Sequence, residues 1–291
     1  MPELLIATLG TKPQVVTLSL DILLRRGCRL DRVIVLHTDP GFEPIAGSLA
    51  RLQDALAAAY GLLPVTYVEL RDGDRPLADI TDETSAAAYF RGLYGVVLAH
   101  KRGGHTVHLL GAGGRKAMSM YTALTAQLLF DTDDRLWTLV SPPALVESDM
   151  LHDEAGLAVL VRVPVPPSGL VPGLYENPRL DDPFVAVENR ERETQRRRQA
   201  FVRHWLTPAE QILAHTLVAF PRETSAEIAA RLGKSKRTVD TQLGSIYAKL
   251  NEFLNYEIPT RDKRRLLLDV LGAADADTTL RAALLGEDGG R

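Results

Sequence analysis

The chain has 291 residues, 45% apolar and 24% charged, with a net charge of −3, values that suit one or two soluble globular domains and exclude a largely disordered chain. No apolar run approaches the roughly 18 residues that a bilayer crossing needs, and the start MPELLIATLG lacks the basic region and cleavage site of a signal peptide. Cys28 is the only cysteine and the seven histidines are scattered, which excludes an intrachain disulfide and a Cys-cluster zinc site and leads us to expect a cytoplasmic protein without metal or cofactor.

Leu4 to Ala7 is a short apolar run of strand type, ending near Gly10. Pro13 to Leu24 carries its apolar residues at helical spacing. Arg32 to His37 is a second buried strand, followed by the loop Thr38-Asp39-Pro40-Gly41. Leu49 to Tyr60 is an Ala/Leu-rich helix, Val65 to Val68 a third strand, and Ser85 to His100 a helix. Thr106 to Leu110 is again a strand, Arg115 to Phe130 a helix, and Leu136 to Val140 closes the series.

Strands alternating with helices mean βαβ units and a mostly parallel α/β sheet of Rossmann type. In such sheets ligands bind beyond the carboxyl ends of the strands. Two strand-to-helix loops are placed for that role, Leu9 to Gln14 and Gly111 to Lys116. Neither has Walker A or G-x-G-x-x-G spacing. Backbone-rich turns at helix N-termini, with Arg115 and Lys116 beside them and hydroxyls from Thr11 and Ser119, make an anion site suited to a phosphodiester. The same spacing also suits plain tight turns.

Prolines crowd the stretch from Pro164 to Pro183, which can continue neither a helix nor a central strand and reads as a domain boundary. Expected divisions are a ligand domain at 1–165, a Pro-rich linker and charged connecting helix at 166–205, and a helical domain at 206–291. Thr207-Pro208-Ala209-Glu210 is a capping box with proline at the first helical position. Thr224 or Ser225 caps a second short helix, which stops at Gly233, and Ser235 caps a third that runs to about Leu250. Residues 222–265 hold ten Lys/Arg against six Asp/Glu, a local excess that suits a polyanionic partner or a plain solvated face.

Helix, glycine turn and capped basic helix make an all-α, winged helix-turn-helix domain the expected C-terminal fold. The segments LTPAE, SAEIAARLG, SKRTV and SIYAKL resemble the LuxR-type DNA-binding domain. That resemblance implies double-stranded DNA as a partner, met by Lys234, Lys236, Arg237 and Thr241. A structural or dimerising use of the same helices is the alternative.

In the first half, ATLGTKPQVV, LADITDE, GAGGRKAMSMY and DRLWTLVSP occur in this order. They resemble the CRISPR-associated Rossmann-fold (CARF) proteins, and among them the CRISPR-associated ring nucleases, over about residues 3–150. The resemblance implies a homodimer whose two-fold pocket takes cyclic tetra-adenylate, the second messenger of type III CRISPR antiviral defence. It further implies that Gly10, Thr11 and Lys12 form the first ligand loop and that Gly113, Gly114, Arg115 and Lys116 cradle the ring phosphates. Many relatives carry serine at position 11, so Thr11 keeps a hydroxyl; Lys12 stands where a small residue is usual. Cleavage would run by attack of a ribose 2′-OH on its own 3′ phosphodiester, with Thr11 and Lys116 as the catalytic pair. An R-x(4–6)-H ribonuclease motif is also present, at Arg198 to His204 and by chance at Arg32 to His37.

Overall fold

In the computed structural model the described residues are 2–272, apart from positions 42, 143, 144, 146, 149, 154, 155 and 171–173. The tail of the expected C-terminal domain, 273–291, and the linker proline at 172 lie outside them. The chain divides into two compact units, residues 1–187 and 188–291.

The first unit runs β1 (Glu3–Thr8), α1 (Gln14–Arg25), β2 (Leu30–His37), α2 (Ile45–Ala59), β3 (Val65–Glu69), a hairpin of β4 (Arg71–Asp72) and β5 (Arg75–Pro76), α3 (Glu83–Arg102), β6 (Thr106–Leu110), α4 (Lys116–Leu129), β7 (Arg135–Val140) and β8 (Val159–Val163). Six strands form one sheet in the order β3-β2-β1-β6-β7-β8. All pairings are parallel except β7 with β8. From β1 the chain steps outward to β2 and β3, then returns to lay β6 on the other side of β1. The reversal of winding therefore falls between β1 and β6.

Burial on both faces explains the uninterrupted apolar strands. Leu4 and Ile6 of β1 join Ile34 and Leu36 of β2 in a core with α3 and α4. Leu5 and Ala7 join Val33 and Val35 on the opposite face, against α1 and α2. Each fully buried Leu or Ile contributes about 1.5–3 kcal/mol relative to exposure. Beneath the sheet's carboxyl edge, the Tyr89 hydroxyl lies 3.1 Å from Thr8 Oγ1 and 3.5 Å from Thr122 Oγ1, tying the end of β1 to α4. At the other end of α3, the buried Lys101 ammonium pairs with Asp131 and Asp134, each at 2.7 Å.

The Pro-rich stretch, whose composition suggested a linker from residue 166, packs onto the first unit instead. Ser168 N–H donates to Phe130 O at 2.7 Å, and the buried Tyr175 donates its hydroxyl to Leu129 O at 2.7 Å. Proline fixes the backbone but does not forbid burial of the apolar residues between. Helix α5 (Pro183–Ala200) follows, its charged part laced by Glu188–Arg192 and Glu193–Arg197 pairs, and passes into a π-helical turn at Phe201–Trp205.

The second unit continues with α6 (Pro208–Ala219), α7 (Ser225–Arg231), α8 (Lys236–Leu254) and α9 (Lys263–Gly272). Its described residues contain no strand, so a β wing is not among them. Phe201, Leu213, Ile228, Val239, Ile246 and Leu267 lie in one core. Thr207, Thr224 and Ser235 cap α6, α7 and α8 through their side chains, and Gly233 turns α7 into α8 at φ +63°.

Candidate ligand-binding site

The loops after β1 and β6 emerge side by side, where the winding reverses, and they meet backbone to backbone. A Cβ on Gly10 would stand 2.7 Å from Gly114 Cα. One on Gly113 (φ +97°) would stand 2.7 Å from the Thr8 carbonyl oxygen, and one on Gly114 (φ +88°) would run into the Met118 thioether. Gly10 and Gly113 leave no space for a Cβ against backbone atoms, and the positive φ of Gly113 and Gly114 demands glycine by conformation.

Each loop feeds a helix whose start carries no side-chain cap. Pro13 precedes α1 and Arg115 precedes α4, and neither supplies an acceptor to the first turn. The Val15, Val16 and Met118 amides donate to the Lys12, Pro13 and Arg115 carbonyls, and the positive end of each helix dipole lies at the sheet's carboxyl edge. Lys12, Lys116 and Thr11 are exposed there, and among the described residues neither lysine has an ion-pair partner. Ser119 is half-buried, on the first turn of α4.

Beside the loops opens a cavity of ≈ 580 Å³. Gly10, Thr11, Gly114 and Arg115 line part of it; Lys12, Gly113, Lys116 and Ser119 do not. The rest of the wall comes from the loop after β2 and the start of α2, through Thr38, Asp39 and Glu43, and from Asp79 ahead of α3. Arg115 Nε donates to Asp79 Oδ1 at 2.7 Å and Nη2 donates to Oδ2. This fork holds the Asp79 carboxyl below the usual carboxylate range and raises the guanidinium. The arginine expected to meet phosphate therefore already has an anionic partner.

The segment from Lys12 to Arg162, over half of the chain, matches the family model described as CRISPR-associated protein NE0113. The chain belongs to that family. No curated protein matches. Among solved structures, Enterococcus italicus Csm6 bound to cyclic hexa-2′-fluoro-hexa-dAMP is similar with a TM-score of 0.40 and 14% identity, over 92% of this chain and 60% of that one. The chain thus spans about 60% of that protein's length, and no residue role is carried across at this distance.

Elsewhere in this NE0113-family chain, the basic residues in and just before α8 divide into two kinds. Lys236 and Arg237 are exposed in its first turn and have no ion-pair partner among the described residues. Lys234 donates to Gln242 Oε1 at 3.1 Å, and the Thr241 hydroxyl donates back to Arg237 O at 2.9 Å. Lys249 binds the buried Glu210 at 2.6 Å. Burial pulls the Glu210 carboxyl up, but Lys249, Ser245 and Thr207 outweigh it and hold its pKa at about 2.

Sequence spacing gave no sign that Glu3, Cys28 and His108 converge, their ligand-type atoms all within 4.8 Å. They sit toward the amino ends of β1 and β6, away from the glycine loops. Trp137 Nε1–H donates to His108 Nδ1 at 3.1 Å. Indole can only donate, so the neutral imidazole keeps its proton on Nε2, 3.4 Å from Glu3 Oε2. That proton occupies the lone pair a metal would need, and the trio reads as a half-buried polar contact.

The described residues include no helix long and apolar enough to cross a membrane.

Proposed function

We propose that the first unit binds a cyclic oligoadenylate, cyclic tetra-adenylate in particular, in a pocket completed by a second copy of the chain. The carrying observation is the meeting of two uncapped helix starts, with exposed Lys12 and Lys116, at the reversal of the sheet's winding. Backbone amides and a helix dipole at such a point accept phosphate oxygens. Membership of a CRISPR-associated family supports a messenger of that defence system as the ligand.

We further propose slow cleavage of the ring. The ribose 2′-oxygen bonds to the adjacent phosphorus as the P–O5′ bond breaks; the 2′ proton leaves to solvent and the 5′-oxygen takes one up. Thr11 orients the 2′-OH, and Lys116 with the Gly113–Gly114 amides stabilises charge developing on the phosphorane oxygens. Among the described residues the wall contains no histidine to assist the proton transfers, which keeps turnover slow. Incubation with cyclic tetra-adenylate in excess EDTA, followed by chromatography, should give products ending in 2′,3′-cyclic phosphate. A requirement for Mg²⁺ or Mn²⁺ would overturn the chemistry, and absence of binding would overturn the site.

A second reading rests on the exposed, unpaired Lys236 and Arg237. As a helix-turn-helix the second unit would present α8 to the major groove, making the protein a ring-gated DNA-binding regulator. Replacing both residues with alanine should abolish duplex binding, or flatten its salt dependence by roughly one unit of slope per lost phosphate contact, while ring binding is unchanged. Absence of duplex binding at low salt by the unaltered chain would rule this reading out.

A further inference from the structure

The cavity wall is acidic, which is unexpected beside a phosphate site. Of the three carboxylates, Asp79 is already occupied by Arg115 and by the Ile80 amide. Asp39 and Glu43 are not used up. Asp39 Oδ1 accepts from the Gly41 amide at 2.7 Å and Glu43 Oε2 from the Gly47 amide at 3.3 Å, while Asp39 Oδ2 and Glu43 Oε1 have no hydrogen-bond partner among the described residues. A second feature points the same way. Thr38 lines the cavity, is 3% exposed, and its hydroxyl has no hydrogen-bond partner among the described residues.

A phosphodiester is a poor occupant of this space, because both free acceptors repel it. The favoured occupant is flat, partly apolar and a hydrogen-bond donor: Leu9, Ile45 and Met118 supply apolar wall and the carboxylates supply acceptors. Adenine offers an exocyclic amino group that carboxylates accept from, and it carries no charge. Resting on the proposed binding of a cyclic oligoadenylate, we infer that Asp39 and Glu43 select the base, accepting the 6-amino group of an adenine seated in the cavity. The ring phosphates then stay outside, at the open helix starts and at Lys12 and Lys116.

The test is a two-by-two cycle between ligand and protein, read by calorimetry on the full-length chain. The probes are cyclic tetra-adenylate and the same ring with unsubstituted purine, hydrogen replacing each 6-amino group. For the unaltered chain, deleting the amino groups should cost roughly tenfold or more in affinity, since it leaves both carboxylate acceptors without their donor in the complex. In the Asp39→Asn/Glu43→Gln chain, which keeps the Gly41 and Gly47 contacts available, the same deletion should cost about twofold or less. Circular dichroism should show the variant folded; should it unfold, the single substitutions give the same comparison. Equal affinity of the unaltered chain for both rings overturns the base assignment and leaves ring binding standing. An unchanged amino-group dependence in the variant overturns the assignment to these two residues. Failure of the unaltered chain to bind either ring overturns the ring-binding reading and this inference with it.

Discussion

Helix starts in this protein follow two designs. At the glycine loops, α1 and α4 begin after Pro13 and Arg115, and neither residue supplies a side-chain cap. Elsewhere, α3, α6, α7 and α8 are capped by Asp82, Thr207, Thr224 and Ser235. A side-chain cap is worth about 0.5–2 kcal/mol, and threonine or aspartate could stand at most helix starts. Two starts without a side-chain cap at one edge of one sheet leave the positive ends of two helix dipoles beside the glycine loops. The capped helices use the same kind of amide for internal stability.

The largest effect should come from closing the space that brings the open starts together. Gly10→Ala forces a side chain into the Gly114 backbone and is expected to cost about 3 kcal/mol. Urea unfolding of the full-length chain would show it, and ring affinity should fall with it.

On the capped side, Glu210 should account for a comparable share. Its folded pKa of about 2 lies below the usual 4.5, so its contribution is complete above about pH 4.5 and fades as pH falls toward 2, about 3 kcal/mol in all. Glu210→Gln should lower stability by about that amount at pH 7, and the two proteins should converge in acid. A constant difference across the acid range would contradict the pairing with Lys249.

Lys116→Ala tests the receptive side without touching a buried contact. Loss of a charge-assisted hydrogen bond costs about 1.5–3 kcal/mol, a tenfold or greater loss of ring affinity, with unfolding unchanged.

The smallest effect would convert one design into the other. Arg115 has the extended backbone (φ −73°, ψ 154°) of a capping residue. Compared with Arg115→Ala, which loses the Asp79 fork equally, Arg115→Ser should therefore cap α4, adding about 0.5–1 kcal/mol of stability while weakening ring binding. An increase in ring affinity would show that the open start of α4 plays no part.

Much of the first unit was legible because strands buried on both faces write themselves as apolar runs. Leu4 to Ala7 and Thr106 to Leu110 were visible for that reason. Strand β8 was not, since only Leu160 is fully buried on this antiparallel edge, and the β4–β5 hairpin is too short and polar to carry a period. Strand order has no local signature, so the meeting of the two glycine loops had to come from the structure. The acidic wall was hidden for the same reason: Asp79 comes from a different loop from Asp39 and Glu43. Their only sign was position, since Thr38-Asp39-Pro40-Gly41 follows a buried strand. The helix caps were legible, because Thr207 and Glu210 stand within one turn of each other. The pairing of Glu210 with Lys249 was not, since it spans two helices.

The glycine contact also bears on how the sheet finds its alignment. Where one face of a strand is polar, a one-residue slip exposes apolar side chains and is rejected. Strand β1 lacks that safeguard, because Leu4 and Ile6 on one face and Leu5 and Ala7 on the other are equally apolar. A slip against β6 would bring Leu9 or Thr11 opposite Gly114, and both carry the Cβ that this approach excludes. Gly10 therefore works as a key for pairing β1 with β6, and the residues that shape the ligand loops also help decide which of several similar alignments the folding chain keeps.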